Sequence, residues 1–200
     1  MTMLLTLPAA LALALLATPL IATLFHHGAF SAHDVWMTRE ALIAYSIGLI
    51  GLILVKVLAP GFYARQDIKT PVKIAIITLI FTQLLNLAFI APFQHAGLAL
   101  AIGLGACFNA GLLYYKLLSL NIYEPQPGWL VFLTKILAAL VVMGLVLWFA
   151  SGSDVSWLSE STWVRAIRLS WIVVVGAASY FAALWLLGFR LKDFTKQQTI

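Results

Sequence analysis

The stretch Lys56-Val57-Leu58-Ala59-Pro60-Gly61-Phe62-Tyr63-Ala64-Arg65-Gln66-Asp67-Ile68-Lys69-Thr70-Pro71-Val72-Lys73 decides how the chain folds. One long apolar run ends inside it and another begins inside it, with a short, mostly cationic turn between them. Pro60 lacks an N–H and Gly61 adds backbone freedom, so the pair weakens the helix that precedes the turn. Thr70 followed by Pro71 has the pattern of an N-cap with proline at the first helical position, which predicts that a new helix starts there. Arg65, Lys69 and Lys73 would hold the turn on one side of a membrane.

The wider composition supports a membrane setting. Hydrophobic residues make up 63% of the 200 residues and charged residues 10%, against roughly 45–50% and about 25% in soluble domains. The net charge of +5 comes from cations scattered singly between apolar runs. That distribution suits loops at a membrane face and not nucleic-acid binding. The one cysteine, Cys107, lies in an apolar run and is expected to be a small buried side chain.

Six apolar stretches lie near the roughly 20 residues that a bilayer crossing needs: about Leu4–Phe25, Glu40–Phe62, Val72–Pro92, Gly97–Leu120, Trp129–Ala150 and Val164–Leu187. Helices satisfy their own backbone groups without water, whereas a barrel would need an alternating pattern that is absent. The expected fold class is therefore all-α, a polytopic membrane helix bundle of about six transmembrane helices. The first stretch has no charged residues before it and is too long for a signal h-region, so it is expected to be a retained span.

Charge orients the bundle. Arg65, Lys69, Lys73, Lys116, Arg190, Lys192 and Lys196 fall on one side; Arg39, Arg165 and Arg168 fall on the other with Asp34, Asp154, Glu160 and the histidines. The excess places the first side, and both termini, in the cytoplasm. Trp129 and Trp185 fall near that face, and Trp36, Trp148, Trp157 and Trp163 near the opposite one, as an aromatic belt would. The loops Gln94-His95-Ala96, residues 121–128 and residues 151–162 are short, so sequential helices should be antiparallel neighbours.

Few residues offer chemistry. On the fourth span Ala99, Gly103, Ala106 and Ala110 share a face that lets another helix approach closely, either as plain packing or as a surface that slides. On the third span Thr82 and Asn86 share a face one turn apart, beside Gln83. They either bond between helices or line a cation or substrate pathway. Lys56 and Lys135 lie inside spans near the basic side, where snorkelling is the default. Lys56 has the stronger functional reading, because the Pro60-Gly61 break could turn it toward a cavity holding an anion. His26, His27 and His33 cluster with a lone Asp34, without the facing ligands a metal needs, so no metal or cofactor is expected. No paired carboxylates or activated nucleophile stand at membrane depth, and an enzyme is not expected.

Residues 41–49 with Lys56 to Pro71, together with His95-Ala96-Gly97-Leu98-Ala99-Leu100-Ala101 and Pro125-Gln126-Pro127-Gly128-Trp129, closely resemble the MurJ (MviN) lipid II flippases. These belong to the multidrug/oligosaccharidyl-lipid/polysaccharide exporter superfamily. The resemblance implies a fourteen-span transporter of two lobes plus a final helix pair. It would carry lipid II, the undecaprenyl-linked peptidoglycan precursor, across the cell inner membrane by alternating access. This chain resembles its last six spans: residues 1–120 a partial second lobe of four helices, and residues 121–200 the C-terminal pair with a cytoplasmic tail. The partners implied are lipid II, membrane lipids and the N-terminal lobe missing here. The resemblance also puts Lys56 on the cavity wall and the polyprenyl tail in a groove between the fifth and sixth spans. It matches Thr82 and Asn86 to positions that help bind sodium in some members. The carboxylate of that set is absent, and a dehydrated Na⁺ would be poorly compensated. A non-transporting membrane interaction module, or an exporter of another polyprenyl-linked sugar, remains the alternative.

Overall fold

The computed structural model describes residues 2–121 and 129–188, and these residues form seven helices and no strand. The expected loop at 122–128, the Pro125–Gly128 phrase and the tail cations Arg190, Lys192 and Lys196 lie outside the described residues. The described residues divide into two compact units, residues 3–26 with 129–188, and residues 27–121.

The second unit is built on α3 (Ala32–Tyr63) and α4 (Lys69–Ser119). Helix α3 begins eight residues before the expected Glu40. Ser31 and Asp34 form a capping box that starts it early: the Ser31 amide and hydroxyl donate to Asp34 Oδ2 at 2.8 and 2.7 Å, and the Asp34 amide donates to Ser31 Oγ at 3.3 Å. Pro60-Gly61, expected to weaken this helix, lies inside it, and the helix runs on to Tyr63, one residue past the expected Phe62. Loss of one N–H in the last turn is tolerated because only the Lys56 carbonyl loses its donor.

The start of α4 also needs correcting. Thr70 is not its N-cap. The helix begins at Lys69, and the Thr70 amide donates to Asp67 Oδ1 at 3.1 Å, so the carboxylate two residues before the helix serves its first turn. Helix α4 counts 51 residues. At 1.5 Å per residue that is about 75 Å, far beyond an apolar core of roughly 30 Å. Gln94, at φ 47° and ψ −119°, breaks it into arms at 69–93 and 95–119. The arms double back on each other: Phe81 stacks on Phe108 with centroids 4.3 Å apart, and Thr82 sits against Gly105. The expected three-residue loop is thus a reversal at a single non-helical residue.

Helix α3 runs parallel to the second arm, with Gly48 facing Gly103, Gly51 facing Ala106 and Cys107, and Gly61 facing Leu117. Phe62, Ile74, Leu113 and Leu117 close one end as a buried cluster. On the first arm Ile76, Ile77, Leu79, Ile80, Leu84 and Leu87 are exposed. In water such a face would be a liability, but in lipid it is the ordinary outer surface.

In the first unit, α1 (Thr2–Leu15) and α2 (Ala17–Phe25) take the place of the single expected first span. They bend by 70° at Leu16. Pro19 explains the position, because its ring crowds the carbonyl four residues back, Leu15, and supplies no N–H to it. Helices α5 (Trp129–Ser151) and α7 (Thr162–Leu186) pack together, with a short helix α6 (Asp154–Ser159) between them in sequence. Their buried faces are Ile136, Ala139, Leu140, Met143 and Leu147 on α5 and Ile172, Gly176, Tyr180, Ala183 and Leu184 on α7. Counting the bent pair once and the arms of α4 separately gives six apolar crossings, as expected.

Candidate functional site

Each polar group singled out from sequence has a definite place. Lys56 is exposed on α3, on a helix that continues past Pro60. Thr82 and Asn86 are both half-buried on the first arm of α4. Thr82 is committed to packing, since its hydroxyl lies against Gly105 where any β-carbon would collide with it. Asn86 Nδ2 donates to Gln83 Oε1 at 3.3 Å, while its Oδ1 is buried with no hydrogen-bond partner. A buried amide oxygen left unpaired costs about 1–3 kcal/mol. The structure therefore brings Thr82 and Asn86 onto one helix face beside the second arm.

Gly103, Ala106 and Ala110 are buried and Ala99 is half-buried. The fourth-span face turns out to be one half of a seam. The other half is Gly48 and Gly51 of α3, which sequence reading did not pair with it. A β-carbon on Gly103 would lie 3.0 Å from Gly48 Cα, so the two backbones nearly touch. Cys107, beside the seam, lies with its Sγ 3.8 Å from the Ile47 carbonyl oxygen.

The first unit holds the groups that sequence reading missed. Arg165 is 5% exposed. Its Nη1 donates to the Ala22 carbonyl at 3.0 Å and its Nη2 to the Leu158 carbonyl at 2.8 Å. Nη1 also lies 3.1 Å from His26 Nδ1. A guanidinium only donates, so Nδ1 is the acceptor there. Arg168, one turn on, donates to the Ser151 carbonyl at 3.1 Å, pairs with Glu160 at 2.7 Å and covers the Trp157 ring at 4.4 Å. The C-terminal ends of α2, α5 and α6 thus converge on two arginines in the opening turns of α7. Helix C-termini carry partial negative charge and unpaired carbonyls, and a buried guanidinium answers both. Two cations at a helix N-terminus, where the helix dipole disfavours them, were the signal in the sequence. Trp157 departs from the expected aromatic belt: it is fully buried, donating from Nε1 to the Ser151 carbonyl at 2.7 Å. His26 is held by Arg165, while His27 and His33 are exposed.

Tyr180 repairs a lost hydrogen bond inside α1, which runs unbroken through Pro8. Pro8 cannot donate to the carbonyl of Leu4, and the Tyr180 hydroxyl donates to it instead at 2.8 Å. Beside this bond a cavity of about 180 Å³ opens between α1, α5 and α7, lined by Leu5, Ala12, Met143, Leu147, Gly176 and Phe181 among others. Its walls are apolar enough to take hydrocarbon and offer no site for a sugar. Outside the spans, hydrogen bonds from Thr70 hold the Asp67 carboxyl below the usual carboxylate range.

The family model described as lipid II flippase MurJ matches residues 1–192. A lipid II flippase MurJ of Burkholderia cenocepacia is 50% identical over 197 residues, covering 98% of this chain and 38% of the relative. A probable lipid II flippase MurJ of Haemophilus influenzae is 40% identical over 190 residues, covering 95% of this chain and 37% of the relative. A solved lipid II flippase MurJ in an inward closed conformation superposes with a TM-score of 0.73 at 23% identity, over 90% of this chain and 35% of that one, and shares the fold. The chain therefore spans a little over a third of the length of the relatives it matches.

Proposed function

The chain belongs to the lipid II flippase MurJ family, and from that premise we propose that it forms the C-terminal part of a transporter for lipid II in the inner membrane. The observation that carries this reading is the match over residues 1–192 at up to 50% identity. Transport would proceed by alternating access, with no bond made or broken in the cargo, so the protein is a carrier rather than a catalyst. Residues 1–120 would contribute four helices of the second lobe and residues 121–200 the final pair. The N-terminal lobe would supply the facing wall of the cavity. The Arg65–Lys73 turn would lie in the cytoplasm, as its charge favours.

Within this reading Lys56 faces the pathway as a cation for the anionic cargo, and Thr82 and Asn86 stand on the same lobe. The apolar cavity beside α1, α5 and α7 offers lodging for part of the polyprenyl tail. The alternative of a non-transporting module would rest on the small-residue face of the fourth span. That face is filled by Gly48 and Gly51 of the same chain, which leaves it less to offer another helix.

The test is a chimera in which residues 1–192 replace the matching part of the Burkholderia relative. It should sustain growth of cells depleted of their own flippase, and this chain alone should not. A chimera that is inserted and stable yet fails to support growth, or rescue by this chain alone, would defeat the proposal. Lys56→Gln in a working chimera should lower transport of lipid II without lowering the amount of protein in the membrane.

A further inference from the structure

Helix α2 is a short lever with a hinge at one end and a clasp at the other. The hinge is the 70° bend at Leu16, whose φ of −97° and ψ of 18° fall outside the helical range. The lever is nine residues long and packs on α6 and α7, with Ile21 and Ala22 buried. The clasp is Arg165 of α7. Its Nη1 has two hydrogens and meets three acceptors: the Ala22 carbonyl at 3.0 Å, His26 Nδ1 at 3.1 Å and the His26 carbonyl at 3.4 Å. Its Nη2 holds the Leu158 carbonyl, so one guanidinium ties the end of α2 to the end of α6.

None of these partners is a carboxylate. The charged groups on the elements packed against α2 are Asp154, the first residue of α6, Glu160 just after α6, and Arg165 and Arg168 of α7. Glu160 is engaged by Arg168. His27, next along the chain, is exposed. The junction is also incompletely bonded: Arg165 Nε and Glu160 Oε2 are buried with no hydrogen-bond partner. Orphaned polar atoms subtract from what the contact contributes, so the clasp holds α2 without locking it.

The acceptor role of His26 Nδ1 needs a neutral ring. A protonated imidazole has donors only. It would also set a second positive charge 3.1 Å from the guanidinium, where a half-buried site screens the repulsion poorly. Histidine is the side chain whose charge ordinarily changes between pH 5 and 8. We propose that the His26–Arg165 contact is an acid-released clasp. It is closed while His26 is neutral. Proton uptake by His26 breaks it, frees the end of α2 from α7 and lets the lever turn about Leu16. In the transport reading above this junction faces the periplasm. The clasp rests on that reading only for the side from which the proton arrives.

The experiment is double electron–electron resonance on the full chain in detergent. Spin labels are placed through Leu24→Cys on α2 and Trp163→Cys on α7, both exposed positions, with Cys107→Ser to remove the native thiol. At pH 8 one short-distance population is expected. At pH 5 a second, longer-distance population should appear, and it should vanish on return to pH 8. The variant H26N, whose amide oxygen replaces Nδ1 as an acceptor that does not titrate, should keep the single population throughout. H27N should respond as the parent does. A distance distribution that ignores pH, or a longer population at pH 5 that survives in H26N, would overturn the clasp. Should the labelled protein not fold, ¹⁵N-histidine NMR of the wild type decides. At pH 8 one ring must hold its proton on Nε2 with Nδ1 bare, and that ring must become imidazolium by pH 5. Free exchange between tautomers in all four rings, or a ring that stays neutral at pH 5, refutes the proposal. None of these readouts involves transport, so the clasp and the transport reading can fail separately.

Discussion

The two units hold their helices together in opposite ways. The described part of residues 27–125 joins by shape: Gly48 and Gly51 bring α3 to backbone contact with the second arm of α4. The unit formed by residues 3–26 and 129–188 joins by polar repair. Arg165, Arg168 and Tyr180 donate to carbonyls exposed at helix ends or orphaned by proline. Both answers meet one constraint. In lipid, apolar burial does not drive helices together, so association rests on close packing and on satisfying the backbone. A straight helix leaves only the first means. A broken helix requires the second, because its free carbonyls have no water to turn to.

The sharpest way to break the contrast is Arg165→Met. It keeps much of the side-chain volume but strands the Ala22 and Leu158 carbonyls, and should cost about 3–5 kcal/mol. Thermal unfolding in detergent would register this as a large fall in midpoint. The matching test of the seam is Gly48→Ala, which drives a methyl group into the Gly103 backbone and should cost about 2–3 kcal/mol. Gly111→Ala on the same arm meets nothing within 4 Å and should be neutral or slightly stabilising. If both glycine variants behaved alike, the seam would not be what binds α3 to α4.

Tyr180→Phe is a milder probe. It removes one hydroxyl and leaves the Leu4 carbonyl unpaired, for about 1–2 kcal/mol. Faster backbone hydrogen exchange around Pro8, with α3 and α4 unchanged, would confine the effect to its own unit. The smallest effect concerns Asp67. Its carboxyl is depressed below the ordinary 3.8 by the Thr70 hydrogen bonds, so its contribution is present above that value. It should be lost as pH falls below 3.8 through the folded value. Asp67→Asn should flatten this part of the pH profile, and an unchanged profile would remove Asp67 as the brace of the α4 start.

Much of the fold was legible because the bilayer imposes length and apolarity on each crossing. The six runs and the cationic turn at Arg65–Lys73 came from those rules alone. What escaped was set by partners. Pro8 and Pro19 both lie in the first run, yet only Pro19 marks the break. Tyr180 serves the Leu4 carbonyl freed by Pro8, and its hydroxyl comes from 176 residues further on in the sequence. Arg165 and Arg168 were visible as charges, but a charge count does not say which carbonyls they meet. Ser31 lies just outside the apolar run, so apolarity alone does not signal its cap. Among the candidate site residues, Lys56, Thr82 and Asn86 were visible as polar groups at membrane depth. What each one faces is decided by packing, and residue type does not encode that.

The reversal at Gln94 has a consequence for how the chain enters its membrane. With one non-helical residue between the arms, there is no hydrophilic stretch to push across the bilayer separately from its flanks. The two arms are therefore expected to enter lipid together as one hairpin, a pairing that the Phe81–Phe108 stack favours.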